Sequence, residues 1–267
     1  MTRSKLVLAV VGLVVLLAGW QIVPPLLSQT TPPPPPVRIR VQVTHVKADM
    51  LQQWQDVIRT EAIPAQKKGG MAFRYTWADG GPFGENGTFV TIQPVGNFAQ
   101  FDQPNTISRT LGADAYAKYQ AKLLPTIVSS RAWIDTLQPN ESIDSRAAAP
   151  PPLVLVQMFQ ALPGKGAEFA ELWRTEYLPR YSKAGIRDVW YYTSMYGAPL
   201  GQITIVRPLA KYAELDQTPG LLQRGGLSPE AAQKINARRA TLISGATSTV
   251  MRYVPDLSFG TPPRTSN

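Results

Sequence analysis

The chain has no cysteine among its 267 residues, and this absence excludes several kinds of site at once. Disulfides, thiolate zinc sites, cysteine-ligated iron–sulfur clusters and an N-terminal lipoprotein anchor all need a thiol. Because 44% of the residues are hydrophobic and 17% are charged, the chain can bury one or two substantial cores. The fold must therefore be stabilised by packing.

Histidine is nearly absent as well, because His45 is the only one in the chain. A catalytic triad, a two-histidine metal site or a histidine proton relay would have to pass through this residue. No metal site is therefore expected. No cofactor is expected either, and haem bound through His45 is a less favoured alternative.

Runs of positive charge are also missing, although the net charge is +9. Lysines and arginines are spread over the sequence, so nucleic-acid binding is not expected. A mildly basic surface beside an anionic membrane fits this distribution better.

One long hydrophobic run is present, from Leu6 to Val23, and it follows Arg3 and Lys5. As a helix it would reach about 27 Å, close to the ~30 Å hydrocarbon thickness of a bilayer. Residues 1–29 are therefore predicted to be a signal anchor or a signal peptide, with the anchor favoured. The basic residues predict an N-terminus inside the cytoplasmic membrane and a body outside it, periplasmic or extracellular, or secreted if the signal is cleaved.

Three further segments are predicted to lie outside any folded module. Residues 30–36 contain five consecutive prolines, which predict an extended stalk. Residues 139–152 are rich in alanine and proline and are interpreted as a linker, and residues 258–267 as a flexible tail.

The remainder of the sequence repeats itself at an offset of 115 residues. Arg59-Thr60-Glu61 recurs as Arg174-Thr175-Glu176, and each is followed three residues later by a proline. Lys68-Gly69-Gly70 corresponds in the same way to Lys183-Ala184-Gly185. Matches in one order are hard to obtain by chance, so the sequence predicts two tandem modules, 37–138 and 153–257.

Each module has the pattern of a βαββαβ unit. It begins with a strand whose residues alternate between apolar and polar, and a helix that a proline kinks or ends comes next. A hairpin around a Gly-Pro loop, a long helix and a last strand follow. This order is ferredoxin-like, and two such sheets can cover each other's bare faces. We expect an α+β fold in which tandem modules pair within the chain as an intramolecular dimeric α/β barrel. The last helices and strands are predicted at 114–129 and 132–137, then at 228–244 and 249–254.

The segment from Trp173 to Pro179, with the Lys183-Ala184-Gly185 turn and an aromatic strand after it, resembles the dimeric α/β-barrel superfamily. The helix that ends in Leu-Pro is similar to NIPSNAP-type and antibiotic-biosynthesis-monooxygenase-type modules. The resemblance covers both modules and implies the barrel. Such modules include cofactor-free monooxygenases, haem-degrading enzymes, isomerases and proteins with no known activity, and the resemblance carries over no catalytic residue.

Candidate ligand-binding residues come from the predicted strands. If Val41 and Val43 pack on the helices, the alternate residues of that strand face a cavity between the modules, or lie at a solvated rim beside the stalk. The aromatic residues of the later strands either stack on a planar ligand or simply pack. The candidates are Arg40, Gln42, Tyr75, Trp77, Gln157, Trp190 and Tyr192.

The candidate catalytic residues are Glu61, Glu176 and His45. The two glutamates have apolar neighbours, and desolvation there would raise the pKa toward that of a general base. Their repetition favours a structural role at the helix end instead. His45 continues the apolar register of its strand, which favours a packed strand-end residue over a general base.

These patterns lead to three functional hypotheses. The first is a membrane-tethered protein of the cell envelope that binds a small amphipathic or aromatic molecule or acts as an accessory protein. The second is a metal-free monooxygenase or isomerase acting on a small aromatic or quinone-like substrate between the modules. The third is a structural interaction module.

Overall fold

The computed structural model of the protein describes residues 36–79, 82, 84–145 and 149–261. The predicted anchor or signal peptide, nearly all of the stalk and the end of the tail lie outside these residues. Within the described ranges, no helix has the length and apolar character needed to cross a bilayer.

The strands of the described residues pair antiparallel in one sheet, in the order β3-β1-β4-β6-β7-β5-β8-β2-β9. An additional pairing between β3 and β2 closes the first eight strands into a barrel. The strands are β1 Arg38–Val46, β2 Phe73–Asp79, β3 Thr88–Val95, β4 Ile127–Leu137, β5 Leu153–Ala161, β6 Trp190–Ser194, β7 Gln202–Leu209, β8 Ile243–Tyr253 and β9 Phe259–Gly260.

The chain passes through the barrel twice in the same order of elements. In the barrel, the first half supplies β2-β3-β1-β4 and the second half β6-β7-β5-β8. The halves meet at two seams, β4 with β6 and β8 with β2. The predicted α+β class and the closed barrel are confirmed.

Helices cover the outside of the barrel. One apolar core lies under the helices of each half, and a third fills part of the barrel interior. The helices are α1 Leu51–Val57, α2 Ile63–Lys68, α3 Thr106–Leu111, α4 Ala113–Leu123, α5 Gly166–Leu172, α6 Leu178–Lys183, α7 Leu221–Arg224 and α8 Pro229–Ala240.

The repeated prolines do not end their helices. A π-helical turn joins α1 to α2 over Ile58–Ala62, and another joins α5 to α6 over Trp173–Tyr177. Pro64 and Pro179 then fall in the first turn of α2 and α6. A missing N–H costs little in a first turn, so the chain continues as a helix.

The last strand of each half begins earlier than its sequence predicts. The helix α4 ends at Leu123, and a 3₁₀ turn containing Pro125 leads into β4 at residue 127. Similarly, β8 begins at residue 243. Pairing with β1 and β5 along nearly their whole length decides these starts, because each residue added to the ladder satisfies backbone groups.

The start of the predicted tail also belongs to the sheet. In β9, Phe259 and Gly260 pair with Arg74 and Phe73 of β2. The buried Arg74 donates from Nε to the carbonyl oxygen of Leu257 at 3.2 Å.

Candidate functional site

The interior of the barrel contains a cavity of about 650 Å³. Its wall is formed mostly by the inward-facing residues of the eight strands. The lining residues that are exposed to solvent lie at one end of the barrel, where β1 begins and β4 and β7 end. The cavity therefore opens to solvent at this end, which is its mouth. The lining includes Ile39, Val41, Val43, Phe73, Tyr75, Trp77, Val90, Ile92, Trp133, Asp135, Val154, Val156, Met158, Trp190, Tyr192, Thr204, Val206 and Met251.

The faces of β1 and β5 are the reverse of those that the sequence predicts. Val41 and Val43 line the cavity, whereas the alternate residues Arg40 and Gln42 lie on the outer face of the strand. Met158 lines the cavity in place of its neighbour Gln157. Alternation defines two faces of a strand but does not say which one is inside, and here the apolar row surrounds the cavity.

The outward polar side chains of β1 bind one another instead of a cavity ligand. Arg40 donates from one guanidinium nitrogen to Gln42 at 2.6 Å and to Gln93 at 3.4 Å. Gln42 in turn donates to Ser130 at 2.9 Å. Burial lowers the pKa of Arg40, and it lowers the pKa of nearby Arg74 to about 10. These hydrogen bonds form a network across the outer face of β1, β3 and β4.

Four of the predicted ligand-binding residues do line the cavity: Tyr75, Trp77, Trp190 and Tyr192. Trp77 and Tyr75 lie on one side with Tyr253, and their ring centroids are 5.7 to 5.8 Å apart in edge-to-face arrangements. Tyr75 and Trp77 form an aromatic wall of the cavity at the β8–β2 seam, and Tyr253 packs against both rings. Such rings offer both flat and edge contacts to a planar ligand.

A polar wall lies at the other seam. The two seams are four strands apart in an eight-stranded ring, so the polar wall faces the aromatic wall across the cavity. Asp135 of β4 is paired with Ser194 of β6, and Ser194 Oγ donates to Asp135 Oδ1 at 2.6 Å. Gln202 Nε2 donates to the same Ser194 oxygen at 3.0 Å.

Asp135 is the one fully buried charged residue among the described residues of the lining, with 2% of its surface exposed. Burial raises the pKa of its carboxyl group, while the hydrogen bond from Ser194 opposes that rise. Burial also raises the pKa of Tyr192, and the charges of Asp135 and Asp144 raise it further. A carboxyl group poised to accept a proton therefore lies near a phenol that stays protonated.

The predicted catalytic glutamates lie outside the cavity. Both belong to the π-helical turns, and both form ion pairs on the surface of the helix layer. Glu61 pairs with Lys122 at 2.9 Å, and Glu176 pairs with Arg180 at 2.9 Å. The structure does not bring them together with each other or with Asp135.

His45 also lies away from the described lining of the cavity, at the far end of β1. Its Nδ1 atom is 2.9 Å from Thr88 Oγ1 and 3.3 Å from a carboxylate oxygen of Glu85. The cavity wall therefore presents no imidazole from this strand to a haem iron. Among the described residues, no group of three or more His, Asp or Glu side chains is placed to hold a metal ion.

Asp135, Ser194, Gln202 and Tyr253 are site residues that the sequence analysis missed. Only Asp135 carries a sequence signal, because it stands among apolar residues of a predicted strand, in Trp133-Ile134-Asp135-Thr136-Leu137. A carboxylate in such a run is costly to bury without a partner, which can mark a functional position.

Known proteins resemble this chain in structure. Neither protein-family models nor curated proteins match its sequence. A candidate monooxygenase from Fusobacterium nucleatum superposes with a TM-score of 0.55 at 10% identity, over 82% of this chain and 92% of that one. An anthrone oxidase-like protein gives a TM-score of 0.54 at 10% identity, over 82% and 91% of the two chains.

A mutant chlorite dismutase from Candidatus Nitrospira defluvii gives a TM-score of 0.52 at 8% identity, over 82% of this chain and 92% of its own. At such low identity these likenesses establish the fold alone. The chain has an α+β fold with a closed antiparallel barrel of the dimeric α/β type.

Proposed function

We propose that this protein binds a small aromatic molecule inside its barrel. The observation that carries the proposal is the cavity of about 650 Å³, with an aromatic wall on one side and the buried Asp135 on the other. A planar ligand can pack against Tyr75 and Trp77 while a hydroxyl group on its edge donates to Asp135. A mostly apolar lining with one polar group is typical of a small-molecule site.

Ligand binding by the full-length chain tests the proposal. Titration calorimetry would compare 2-naphthol with 2-methoxynaphthalene, which has the same rings but no hydroxyl proton. We expect 2-naphthol to bind about tenfold more tightly, because only it donates a hydrogen bond to a carboxylate. Asp135→Asn should weaken this preference, because a neutral amide oxygen is a poorer acceptor than a carboxylate. Native mass spectrometry of the purified protein should show a bound aromatic compound.

Equal binding of the two compounds would count against the role of Asp135. An empty barrel that binds neither compound would favour the third hypothesis, a structural interaction module.

A second candidate function is a metal-free monooxygenase or isomerase, and the Asp135–Tyr192 pair favours it. Asp135 would accept a proton from an acidic carbon of the substrate, whose electron pair moves into the aromatic system. Dioxygen as cosubstrate would then take up the electrons. The names of two structural neighbours, a candidate monooxygenase and an anthrone oxidase-like protein, agree with such chemistry.

Oxygen uptake tests this second function. With anthrone as substrate, one dioxygen would be consumed for each anthraquinone and water formed. The activity should be lost in Asp135→Asn and retained in Glu61→Gln, Glu176→Gln and His45→Ala. Loss of activity in one of the latter three variants would instead support that residue as catalytic. Haem binding through His45 stays the less favoured alternative, and Soret titrations of the parent and of His45→Ala test it.

The origin and placement of the barrel complete the proposal. We infer that the chain arose by tandem duplication of a ferredoxin-like module related to the NIPSNAP-type and antibiotic-biosynthesis-monooxygenase-type modules. We also propose that residues 1–29 anchor the protein in the cytoplasmic membrane, with the N-terminus inside and the folded body outside. Membrane fractionation of the full chain and of a chain lacking residues 1–29 tests the tether.

A further inference from the structure

The carboxylate of Asp135 is held by a chain of two hydrogen bonds that comes from the other half of the protein. Ser194 Oγ lies 2.6 Å from Asp135 Oδ1, and Gln202 Nε2 lies 3.0 Å from Ser194 Oγ. Asp135 belongs to β4, whereas Ser194 and Gln202 belong to β6 and β7, the hairpin that follows it in the barrel. Only 2% of Asp135 and 7% of Gln202 are exposed, so water competes little for these bonds.

The direction of these bonds is fixed by the chemistry of the three groups. An amide nitrogen only donates, so Ser194 Oγ accepts from Gln202. The hydroxyl has one proton, and it can then point only to Asp135. Gln202 therefore orients Ser194, and Ser194 delivers a donor to Oδ1 of the carboxylate. A donor on the ionised form favours that form, against the effect of burial.

The corresponding position at the other seam lacks this arrangement. There Met251 stands opposite Asp79, where Asp135 stands opposite Ser194. Asp79 accepts from Thr249 Oγ1 at 2.7 Å and is not part of the cavity lining. The relay is thus specific to the seam that places a buried carboxylate in the cavity wall.

We propose that Gln202 and Ser194 are positioning residues that hold Asp135 and set the pH at which it exchanges a proton with a ligand in the cavity. The inference rests on the proposed role of Asp135 as the ligand's hydrogen-bond acceptor. Tyr192 of β6 and Trp133 of β4 also face this carboxylate, and Ile39 is its partner on β1. The other charged groups of the described lining lie toward the mouth: Arg38, Asp144, Arg187, Asp188 and Glu214.

Removal of the Ser194 hydroxyl leaves burial unopposed at Oδ1, so the pKa of Asp135 should rise further. Ser194→Thr keeps a hydroxyl at the same atom, so the pKa of Asp135 should stay close to that in the parent. Gln202→Leu should have a smaller effect than Ser194→Ala, because the serine keeps its own proton and loses only its orientation.

The experiment is a carbon NMR titration of the full-length protein labelled at aspartate carboxyl carbons. The Asp135 signal is identified by its loss in Asp135→Asn. In Ser194→Ala the titration midpoint should move up by about one pH unit, and Ser194→Thr should return close to the parent. Thr249→Val is the matched control, because it removes the hydroxyl that bonds Asp79 at the other seam and should leave the Asp135 midpoint unchanged.

The inference is overturned if the Asp135 midpoint is unchanged in Ser194→Ala. It is also overturned if Thr249→Val shifts the Asp135 midpoint by as much as Ser194→Ala does. The same titration needs no ligand, so its result is independent of whether 2-naphthol binds. A ligand readout follows separately: the pH at which 2-naphthol affinity changes should move with the Asp135 midpoint in each variant. Binding whose pH profile is identical in the parent and Ser194→Ala overturns the inference while leaving the proposed function standing.

Discussion

Glu61 and Glu176 occupy equivalent positions in the two π-helical turns, yet they pair with cations from different places. Lys122, the partner of Glu61, comes from the separate helix α4, whereas Arg180, the partner of Glu176, follows four residues later along the same helical segment. The repeat keeps the acid but not its partner. Both pairs are partly exposed, at 28% and 31% of the glutamate side chains, and neither points to the cavity.

The double substitution Glu61→Gln with Glu176→Gln should leave 2-naphthol binding unchanged. Such surface pairs contribute about 0 to 1 kcal/mol each, so the free energy of unfolding should fall by no more than about 2 kcal/mol. Calorimetric titration and urea unfolding measure the two effects. A large loss of 2-naphthol binding with intact folding would show that the glutamates contribute to ligand binding.

Asp135→Asn should change how stability depends on pH. Burial raises the pKa of Asp135 above its ordinary value of 3.8, so the folded protein holds this proton to a higher pH than the unfolded chain does. Stability due to this group is therefore greatest at low pH and falls as pH rises through the window between the two pKa values. In urea unfolding, the variant should gain stability relative to the parent as pH rises above about 4. A constant difference between pH 4 and 7 would contradict the burial of an ionisable group.

Val41→Phe should fill part of the cavity without disrupting the fold. Val41 lines the cavity, so the added ring enters empty space, and we expect a cost below about 1.5 kcal/mol and a loss of ligand affinity of at least about tenfold. Val57→Phe is the matched control, because Val57 is equally buried but belongs to α1 and packs in the apolar core outside the barrel. It should cost about 1 to 3 kcal/mol and leave ligand affinity unchanged. Equal costs for the two variants would argue that the interior of the barrel is packed.

Gly197→Ala should destabilise the protein more than Gly164→Ala. Both glycines have a positive φ, 84° and 75°, so both substitutions carry the same backbone strain. A Cβ atom at Gly197 would lie 2.5 Å from the carbonyl oxygen of Ala132, whereas one at Gly164 meets nothing within 4 Å. Thermal unfolding should therefore show an additional loss of about 1 to 2 kcal/mol at Gly197. The contact matters because Ala132 lies on β4, three residues before Asp135.

The polar site contains one residue that the sequence could have indicated and two that it could not. Asp135 could be found, since a carboxylate in an apolar strand is unusual. Ser194 and Gln202 are ordinary polar residues, and they acquire their roles only because β6 pairs with β4 and β7 follows at the next position in the barrel. Those pairings join residues 59 and 8 positions apart, and no local pattern records them.

The faces of β1 give a second example. The alternation of Val41 and Val43 with Arg40 and Gln42 is plain in the sequence, and it correctly predicts a strand with one polar face. Which face points inward depends on what covers each side, and both sides are covered here. The outer face can carry Arg40 because Gln42 and Gln93 satisfy its hydrogen bonds, and Gln93 comes from β3.

By itself the sequence determined the class of fold, the alternation of strands and helices, and the absence of thiol chemistry, because these depend on composition and on periodicity along the chain. Tertiary structure alone decided the inner face of the barrel, the starts of β4 and β8, and the union of Asp135, Ser194 and Gln202 in one wall. The physical reason is that closing a barrel fixes which strands become neighbours. Neighbouring strands then determine which polar groups are paired and which remain for a ligand.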